Sequence, residues 1–249
     1  MAKAKLISIF HPKHSQTMAE ILLKGGIVGA LWGHHLYFLA CNAYDLTAVK
    51  KLNNIKGRPK NQVLVSPGAI EEVEEFVDIK KSNGLFFAAK EMGMKPLAYL
   101  EFLFKKFPLG VELFANDQVP SSITFETLAG KTIWLAAHMG DKNYSKLLQA
   151  VRQFRREGKN VVFAGTSLNL PGESTLTVKQ LDKVIEHFAG KVDAISIHPK
   201  GDKLKKLNFS ISCSVVSFIG DKPKLLRVGS VSETTLKKYI PDLQISAKI

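Results

Sequence analysis

The sequence predicts a mixed α/β fold built on a twisted sheet. Segments with the apolar spacing of amphipathic helices alternate with short apolar runs typical of strands along the whole chain. Strand-like runs also follow one another directly near the start and near the end, which argues against a purely parallel sheet. The 249 residues hold no internal repeat and no low-complexity linker. We therefore predict one domain over residues 1–231, followed by a C-terminal helix and tail over residues 232–249.

In the first half of the chain, turn-forming residues bound the predicted elements. Ser15 is a candidate N-cap of the first helix, and Gly25 and Gly57 are candidate C-terminal residues of two helices. The four glutamates of a helix over residues 70–77 are expected to face solvent. The predicted helices span residues 15–25, 47–55, 70–77 and 96–104, and the predicted strands span residues 27–31, 36–40 and 63–65.

In the second half, a strongly amphipathic helix stands between predicted strands. It spans residues 144–156 and ends at Gly158. A second helix is predicted over residues 178–188, and a loop over residues 116–122. The predicted strands span residues 132–137, 161–164, 194–197, 210–218 and 225–228.

Composition limits the class of protein. The chain has 35 Lys and Arg against 22 Asp and Glu, which gives a formal net charge of +13. Cys41 and Cys213 each stand alone in an apolar stretch, which excludes a disulfide framework and favours a reducing, cytoplasmic location. No apolar run suits a membrane span or a secretory signal, so no membrane partner is expected. The basic excess favours polyanionic partners such as RNA or nucleotides, although a solvated lysine-rich surface has the same composition.

Two polar clusters interrupt the apolar elements. The first is Lys56-Gly57-Arg58-Pro59, at the end of a predicted helix. The second is TSLNLPG, residues 166–172, which follows a predicted strand, where carboxyl ends of strands commonly place ligand-binding groups. An Arg-x-Gly element at Arg227 is a third, weaker signal. Taken singly, these residues are also typical of helix-end cations and turn caps.

Taken in order, the segments of this chain resemble the YrdC-type threonylcarbamoyl-adenylate synthase family. Those that carry the resemblance are GGIV, LYFLACNA, KGRP, FPLGVELF, GTSLNLPGESTLTV, SCSVVSF and LLRVGSVS. The similarity covers roughly residues 24–232. It implies a YrdC-like twisted mixed sheet with helices around an open basic cavity that holds ATP.

The resemblance also implies a nucleotide site. Lys56 and Arg58 of the Lys-x-Arg motif and Ser167 and Asn169 of the Ser-x-Asn motif would bind the nucleotide, Lys56 and Arg58 as the catalytic cations, and Arg227 would join them. Expelling pyrophosphate requires fixed cations near developing phosphate charge, which Lys and Arg supply. Ser and Asn orient phosphate or ribose without adding charge. ATP is the expected cofactor, and magnesium (Mg2+) usually joins such a site.

The amino-acid half of the family pattern is less well kept. A family stretch Pro-Thr-x-Thr-x-Tyr-Gly-Leu corresponds to WGHHLYFL at residues 32–39, where both threonines are absent and Phe38 replaces a glycine. Ser66 stands where the family often has a histidine. We therefore expect a reshaped substrate pocket. Its predicted residues are His35, Tyr37, Ser66 and Ser214.

The histidine patterns do not predict a metal site. His34 and His35 are adjacent, so on an extended segment they point to opposite sides and cannot easily share one ion. His11 and His14 have ligand-like spacing, but no cysteine or acidic cluster accompanies them.

Two functions follow. The first is an enzyme that forms a carbamoyl-type adenylate from ATP, bicarbonate or another carbamoyl donor, and an amino acid, with an altered amine substrate. In the family the product feeds tRNA threonylcarbamoyladenosine modification. The alternative is a non-catalytic YrdC-like protein that binds a nucleotide or RNA, with tRNA or double-stranded RNA as partner. The basic helix with Lys146, Arg152, Arg155 and Arg156 favours this alternative, although such a run is also typical of a solvated face.

Overall fold

The predicted alternation of helices and strands is confirmed by the computed structural model of the chain. The structure describes residues 3–32, 35–57, 64–137, 142–169, 173–204 and 213–246, with the backbone alone for residues 66–68. No helix in these ranges is both long enough and apolar enough to cross a membrane.

The described residues form eight α-helices and twelve strands. The helices are α1 His14–Leu23, α2 Leu46–Ile55, α3 Ile70–Phe76, α4 Asn83–Glu91, α5 Pro96–Lys106, α6 Lys142–Arg156, α7 Leu181–Phe188 and α8 Glu233–Lys237. The strands are β1 Lys5–Ser8, β2 Val28–Trp32, β3 Leu36–Asn42, β4 Ser66–Gly68, β5 Leu109–Phe114, β6 Thr124–Thr127, β7 Gly130–Ala137, β8 Phe163–Ser167, β9 Ala194–Ile197, β10 Ser214–Ser217, β11 Lys224–Arg227 and β12 Gln244–Ile245.

The chain packs as two compact units, each made of two separate segments. Unit 1 comprises residues 1–64 and 141–210, and unit 2 comprises residues 65–140 and 211–249. Because the chain enters each unit twice, no single linker separates them, and composition shows no boundary. The division into a domain over 1–231 and a tail over 232–249 stays a prediction.

Unit 1 contains a five-stranded mixed sheet in the order β1-β9-β2-β3-β8. β2 and β3 form the predicted hairpin, β3 pairs antiparallel with β8, and β9 runs parallel to both β1 and β2. α1 and α2 bury apolar faces, and both end at glycines in the left-handed region, Gly25 with φ 77° and Gly57 with φ 61°. The predicted helix stops at these two glycines are confirmed.

Unit 2 contains a seven-stranded mixed sheet in the order β12-β11-β10-β5-β7-β4, with β6 pairing to β7. Residues after Ser232 are part of this unit. Ser232 caps α8 by accepting a hydrogen bond from Thr235 N at 3.2 Å, and Tyr99 of α5 donates to Tyr239 O at 2.8 Å. β12 then adds a parallel strand beside β11.

Three local predictions are wrong. Lys13, and not Ser15, occupies the N-cap position of α1, so Ser15 lies inside the helix. The strand predicted over residues 63–65 begins later: the structure has it at β4, Ser66–Gly68. Val63 lies outside the described residues. Glu72 of α3 is buried, although the sequence pattern placed it in solvent. The sequence analysis did not predict α4, β1, β5, β6 and β12. β1, β6 and β12 have four residues or fewer and carry little pattern, and β5 places Glu112 within a fully buried run.

A buried polar network joins α1 to β9 and β3 in unit 1. His14 is 4% exposed, and its Nε2 is hydrogen-bonded to Ser196 Oγ at 2.8 Å. Tyr37 donates its hydroxyl to Ser196 O at 3.0 Å. His14 Nδ1 has no partner among the described residues. Burial, and secondarily the nearby His11, lower the pKa of His14 from 6.5 to about 4.

The low pKa of His14 predicts acid sensitivity of unit 1. As the pH falls below 6.5 the unfolded chain binds a proton that the folded chain does not, so unfolding becomes favoured. We expect the free energy of unfolding to fall by about 2 kcal/mol between pH 7 and pH 5 from this histidine. Urea titrations followed by Trp32 fluorescence in a Trp134→Phe background measure it, because the chain has only these two tryptophans.

The matched variant is His14→Gln, whose amide keeps a hydrogen-bonding group near Ser196 and removes the titration. This variant should lose most of the pH-dependent part of the stability. An equal loss between pH 7 and pH 5 in wild type and His14→Gln would contradict the assignment.

Candidate functional site

Lys56 lies at the C-terminal end of α2. Asp45 is the N-cap of this helix: its Oδ1 accepts hydrogen bonds from Thr47 N at 2.9 Å and Ala48 N at 3.0 Å. It ends because Gly57 turns the chain into the left-handed region. Lys56 is therefore a fixed cation at a helix C-terminus, where the helix dipole also favours positive charge.

Ser167 and Asn169 lie at the carboxyl end of β8. Ser167 is the last residue of the strand and pairs with Phe38 of β3, so the two side chains lie on the same face of the sheet. Leu168, which lies between Ser167 and Asn169 in the sequence, is fully buried. The strand approaches β3 closely at Gly165, where an added Cβ would stand 2.7 Å from Leu39 O.

The structure brings Lys56, Ser167 and Asn169 together within unit 1. Lys56 Nζ donates to Asn169 Oδ1 at 2.5 Å and to Asn169 O at 3.0 Å. Ser167 Oγ donates to the same Asn169 Oδ1 at 3.1 Å. Asn169 Nδ2 donates in turn to Glu173 O at 3.2 Å, which closes the turn. Three residues from segments 113 positions apart thus form one polar cluster.

The electrostatics of this cluster suit an anion. Lys56 brings a positive charge to the cluster, and its acceptors include the amide oxygen and the carbonyl oxygen of Asn169. A phosphate oxygen is a stronger acceptor for an ammonium group than an amide oxygen is, because both partners then carry charge. The cluster is partly buried, so such a contact would be screened less than one on an open surface.

The backbone of residues 35–37 is hydrogen-bonded to the chain at two points after β8, at Leu168 and at Val178. Leu168 N donates to Tyr37 O at 2.9 Å, and Val178 N donates to His35 O at 2.7 Å. The chain between Leu168 and Val178 therefore starts and ends against the backbone of this segment. The Tyr37 side chain is fully buried, its hydroxyl bonds Ser196 O, and burial raises its pKa.

Phe38 fills space on the Ser167 face of the sheet. Its ring lies 6.1 Å from that of Tyr144 of α6 in an edge-to-face arrangement and 5.5 Å from that of Phe163. Phe38 therefore belongs to an aromatic cluster that packs against α6.

Arg227 and Ser214 lie in unit 2. Arg227 donates from Nε and Nη2 to Cys213 O at 3.2 and 3.0 Å, and Nη2 lies 3.6 Å from Cys213 Sγ. Ser214 Oγ donates to Val231 O at 2.6 Å and accepts from Gly229 N at 2.9 Å and from Val231 N at 3.1 Å. Burial raises the pKa of the Cys213 thiol, while Arg227 opposes the rise.

The remaining predicted residues are described only in part. Arg58 and His34 lie outside the described residues, and of Ser66 the structure describes the backbone, paired with Leu135 of β7. Sequence reasoning missed two backbone acceptors, Glu173 O for Asn169 and Cys213 O for Arg227. Neither carries a side-chain signal, since any residue type supplies a carbonyl. The roles assigned to all these residues stay predictions.

The described ranges offer no cluster of three or more histidine, cysteine, aspartate or glutamate side chains that could hold a metal ion. Magnesium in nucleotide sites commonly takes most of its ligands from phosphates and water. The ammonium group of Lys56 and the single amide oxygen of Asn169 beside it do not fit a protein-held magnesium centre.

Comparison with known proteins identifies the family of the chain. A family model for Sua5, YciO and YrdC, described as "Telomere recombination", matches residues 20–229. The chain belongs to the Sua5/YciO/YrdC family. The resemblance predicted from the motifs is thereby confirmed, and the twisted mixed α/β fold with it.

Solved structures agree on the fold. A double-alanine variant of P. abyssi Sua5 has a TM-score of 0.72 and 21% identity, covering 98% of this chain and 65% of that one. P. abyssi Sua5 complexed with L-threonine has a TM-score of 0.72 and 22% identity, covering 97% and 62%. E. coli YciO has a TM-score of 0.66 and 18% identity, covering 96% and 100%. The chain therefore spans less than two thirds of the two Sua5 chains. No curated protein matches it in sequence.

The three hydrogen bonds of Ser214 predict a structural cost for its removal. Ser214→Ala would leave two N–H groups and one carbonyl of the 229–231 turn without their hydroxyl partner. We expect the free energy of unfolding to fall by about 1–3 kcal/mol, measured by urea denaturation.

Ser230→Ala is the control, because Ser230 Oγ is buried and has no partner among the described residues. Its removal should change stability little. Equal stability of Ser214→Ala and Ser230→Ala would show that the turn does not depend on the Ser214 hydroxyl.

Proposed function

We propose that the protein is an adenylate-forming nucleotidyltransferase that resembles threonylcarbamoyl-AMP synthase. The observation that carries the proposal is the meeting of Lys56 with Ser167 and Asn169 in one partly buried cluster. Membership of the Sua5/YciO/YrdC family supports it, since that family includes threonylcarbamoyl-adenylate synthases.

In the proposed reaction an amine and bicarbonate give a carbamate and water, and a carbamate oxygen attacks the α-phosphorus of ATP. The bond from the α-phosphorus to the bridging oxygen breaks, and pyrophosphate leaves with the electron pair. Lys56 and Arg58 stabilise the charge that develops on the phosphates. Ser167 and Asn169 orient the nucleotide, so the protein contributes positioning and charge and no nucleophile.

A phosphate bound at the polar cluster of Lys56, Ser167 and Asn169 would accept hydrogen bonds that Lys56 gives to Asn169. The Lys56 ammonium group donates to both oxygens of Asn169. A bound phosphate replaces one or both of these neutral acceptors, which frees Asn169 Oδ1 for a ribose or amine donor. Ser167 keeps the amide oriented through its own hydrogen bond.

The amine substrate is an amino acid held less selectively than in an ordinary threonine enzyme. P. abyssi Sua5 was solved with L-threonine. Here the two threonines of the family stretch are absent, and Phe38 packs against Tyr144 and Phe163 on the Ser167 face. A pocket that lacks hydrogen-bonding partners for a substrate hydroxyl loses most of its preference for that hydroxyl. The product would feed tRNA modification in the cytoplasm.

A non-catalytic nucleotide- or RNA-binding protein is the second candidate. The observation that favours it is the net charge of +13, which exceeds what an ATP site needs. Turnover separates the two functions.

Pyrophosphate release is the test of the enzymatic proposal. The protein is incubated with ATP, magnesium and bicarbonate, with L-threonine, L-serine, or no amino acid. We expect release that depends on bicarbonate and on an amino acid. The preference for threonine over serine should be at most about tenfold, the low end of what one methyl group contributes in a pocket, because the reshaped pocket is not fitted to that group. Strong threonine selectivity would overturn the reshaped pocket, and nucleotide binding without turnover in any condition would favour the binding protein.

Alanine variants at Lys56 and Asn169 test the nucleotide site. Lys56→Ala should weaken ATP binding by about 1.5–3 kcal/mol, the range for a charge-assisted contact, and Asn169→Ala should weaken it in the same direction. Isothermal titration calorimetry measures both.

Leu168→Ala is the matched control, since Leu168 is the fully buried residue between Ser167 and Asn169. It should cost about 2–5 kcal/mol of stability and leave ATP affinity of the folded protein nearly unchanged. Wild-type affinity for both Lys56→Ala and Asn169→Ala would remove these residues from the proposed site.

A further inference from the structure

The first strand of the chain lies at an open edge of the sheet of unit 1. β1 is the terminal strand of the order β1-β9-β2-β3-β8 and pairs with β9. Lys5 N and Ile9 N both donate to carbonyl oxygens at or beside β9, at 3.0 and 2.9 Å. Because successive residues of a strand direct their backbone groups to opposite sides, Leu6 and Ser8 direct theirs away from β9. The N–H groups of Leu6 and Ser8 have no hydrogen-bond partner in the described part of the chain.

Little protects this edge from pairing with a further strand. Edge strands are commonly protected by prolines, bulges or several charges. β1 pairs with β9 without a register shift, Lys5 is the single charge within the strand, and Pro12 comes only after it. Leu6 is 46% exposed, and Phe10, just past the strand, is 60% exposed. The edge therefore offers open backbone groups beside apolar side chains.

The Phe10 ring is positioned by its neighbours. Phe10 N donates to Ser8 Oγ at 3.2 Å and His11 N donates to Ser8 O at 2.9 Å, so the chain turns directly after β1. The ring lies 5.1 Å from that of His198 in an edge-to-face arrangement. His198 directly follows β9, which runs parallel to β1. An exposed aromatic ring with a fixed position is a suitable anchor for apolar side chains of a partner.

The surroundings of this edge are basic. Residues 3–14 hold three lysines and no acidic residue, and residues 198–204 hold two lysines and one aspartate. Unit 1 as a whole has 22 Lys and Arg against 9 Asp and Glu, whereas unit 2 has 13 of each. The edge is therefore complementary to an acidic partner. Four exposed lysines that form no ion pair with another described residue belong to the two segments: Lys3, Lys5, Lys13 and Lys200.

We propose that the open edge of β1 receives an extended, acidic segment of a partner protein, which adds a strand to the sheet of unit 1. Backbone hydrogen bonds with Leu6 and Ser8 hold the segment, and its apolar side chains contact Leu6 and Phe10. Its carboxylates lie near the lysines around the edge.

Two other occupants fit this edge less well. A nucleic acid has no amide groups to continue the ladder of a sheet. A second copy of the chain would bring the excess charge of one unit 1 against the same excess of another. The surface is independent of the nucleotide site, since β1 lies before residue 20, where the family match begins.

The probe is a fluorescein-labelled peptide of about ten residues in which glutamate and valine alternate. One control peptide has lysine in place of every glutamate. A second keeps the side chains but has N-methylated central amides, which cannot donate hydrogen bonds. Fluorescence anisotropy measures their affinity for the full chain at about 0.1 M salt. We expect the glutamate peptide to bind and each control to bind at least about tenfold more weakly.

Two substitutions at Leu6 isolate the backbone contribution. Both Leu6→Ala and Leu6→Pro remove the leucine side chain, and only Leu6→Pro removes the outward N–H group. Proline is tolerated in an edge strand where the N–H faces solvent. Leu6→Pro should bind the glutamate peptide at least about tenfold more weakly than Leu6→Ala does. The N-methylated peptide tests the same kind of bond on the unaltered protein, so the experiment does not depend on the folding of Leu6→Pro.

Two triple variants of equal charge test the lysines around the edge. The edge variant should bind the glutamate peptide at least about tenfold more weakly than the wild type, and the control variant, which removes exposed lysines of unit 2, should keep most of the affinity. Equal losses in the two variants would overturn the proposal. The edge variant is Lys5→Gln, Lys13→Gln and Lys200→Gln, and the control variant is Lys80→Gln, Lys90→Gln and Lys238→Gln.

Amide hydrogen exchange, followed by NMR, locates the bound peptide. The amides of Leu6 and Ser8 should exchange more slowly when the peptide is bound, whereas that of Lys5 is already hydrogen-bonded. No binding of the glutamate peptide to the wild type, equal binding of the N-methylated peptide, or unchanged exchange at Leu6 and Ser8 would each overturn the proposal. Sedimentation equilibrium tests the second copy as occupant: a dimer that Leu6→Ala keeps and Leu6→Pro loses would assign the edge to self-association and overturn the proposal.

Discussion

The antiparallel pairing of β3 with β8 is the constraint on which the candidate site depends. Its register places Ser167 opposite Phe38 and Gly165 opposite Ala40. A slip of one residue would move Ser167 to the other face of the sheet and away from Lys56. Gly165 permits this register, because any side chain there would collide with the backbone oxygen of Leu39. The position of Asn169, two residues past the strand, follows from the same pairing.

Much of this arrangement could be predicted from the sequence, for identifiable reasons. The hairpin of β2 and β3, the helix ends at Gly25 and Gly57, and the strand before the Ser-x-Asn motif all carry strong local signals of apolar runs bounded by turn residues. The contact between Lys56 and Asn169 is not local, and only the order of the motifs along the chain pointed to it. Family resemblance supplied what spacing alone left open.

The rest could not be predicted because tertiary packing overrides local pattern. Glu72 reads as one of four solvent-facing acids, yet it is buried. Glu112 lies within the central strand β5, where Thr132 donates a hydrogen bond to its carboxylate at 3.3 Å. The Ser214 hydroxyl bonds the turn over residues 229–231, and no local sequence pattern indicated those contacts. In each case a partner distant in sequence determines the role of the side chain.

The interleaved course of the chain through the two units has a consequence for how the protein is made on the ribosome. Unit 1 receives its strands β8 and β9 only after residues 65–140 have been synthesised, although β2 and β3 emerge early. The hairpin must therefore wait with both of its edges unpaired while the first segment of unit 2 is translated. Contacts of such large sequence separation slow folding and leave strand edges open to aggregation. No terminal truncation isolates one unit, because residues 65–140 lie between the two segments of unit 1 and residues 141–210 lie between the two segments of unit 2.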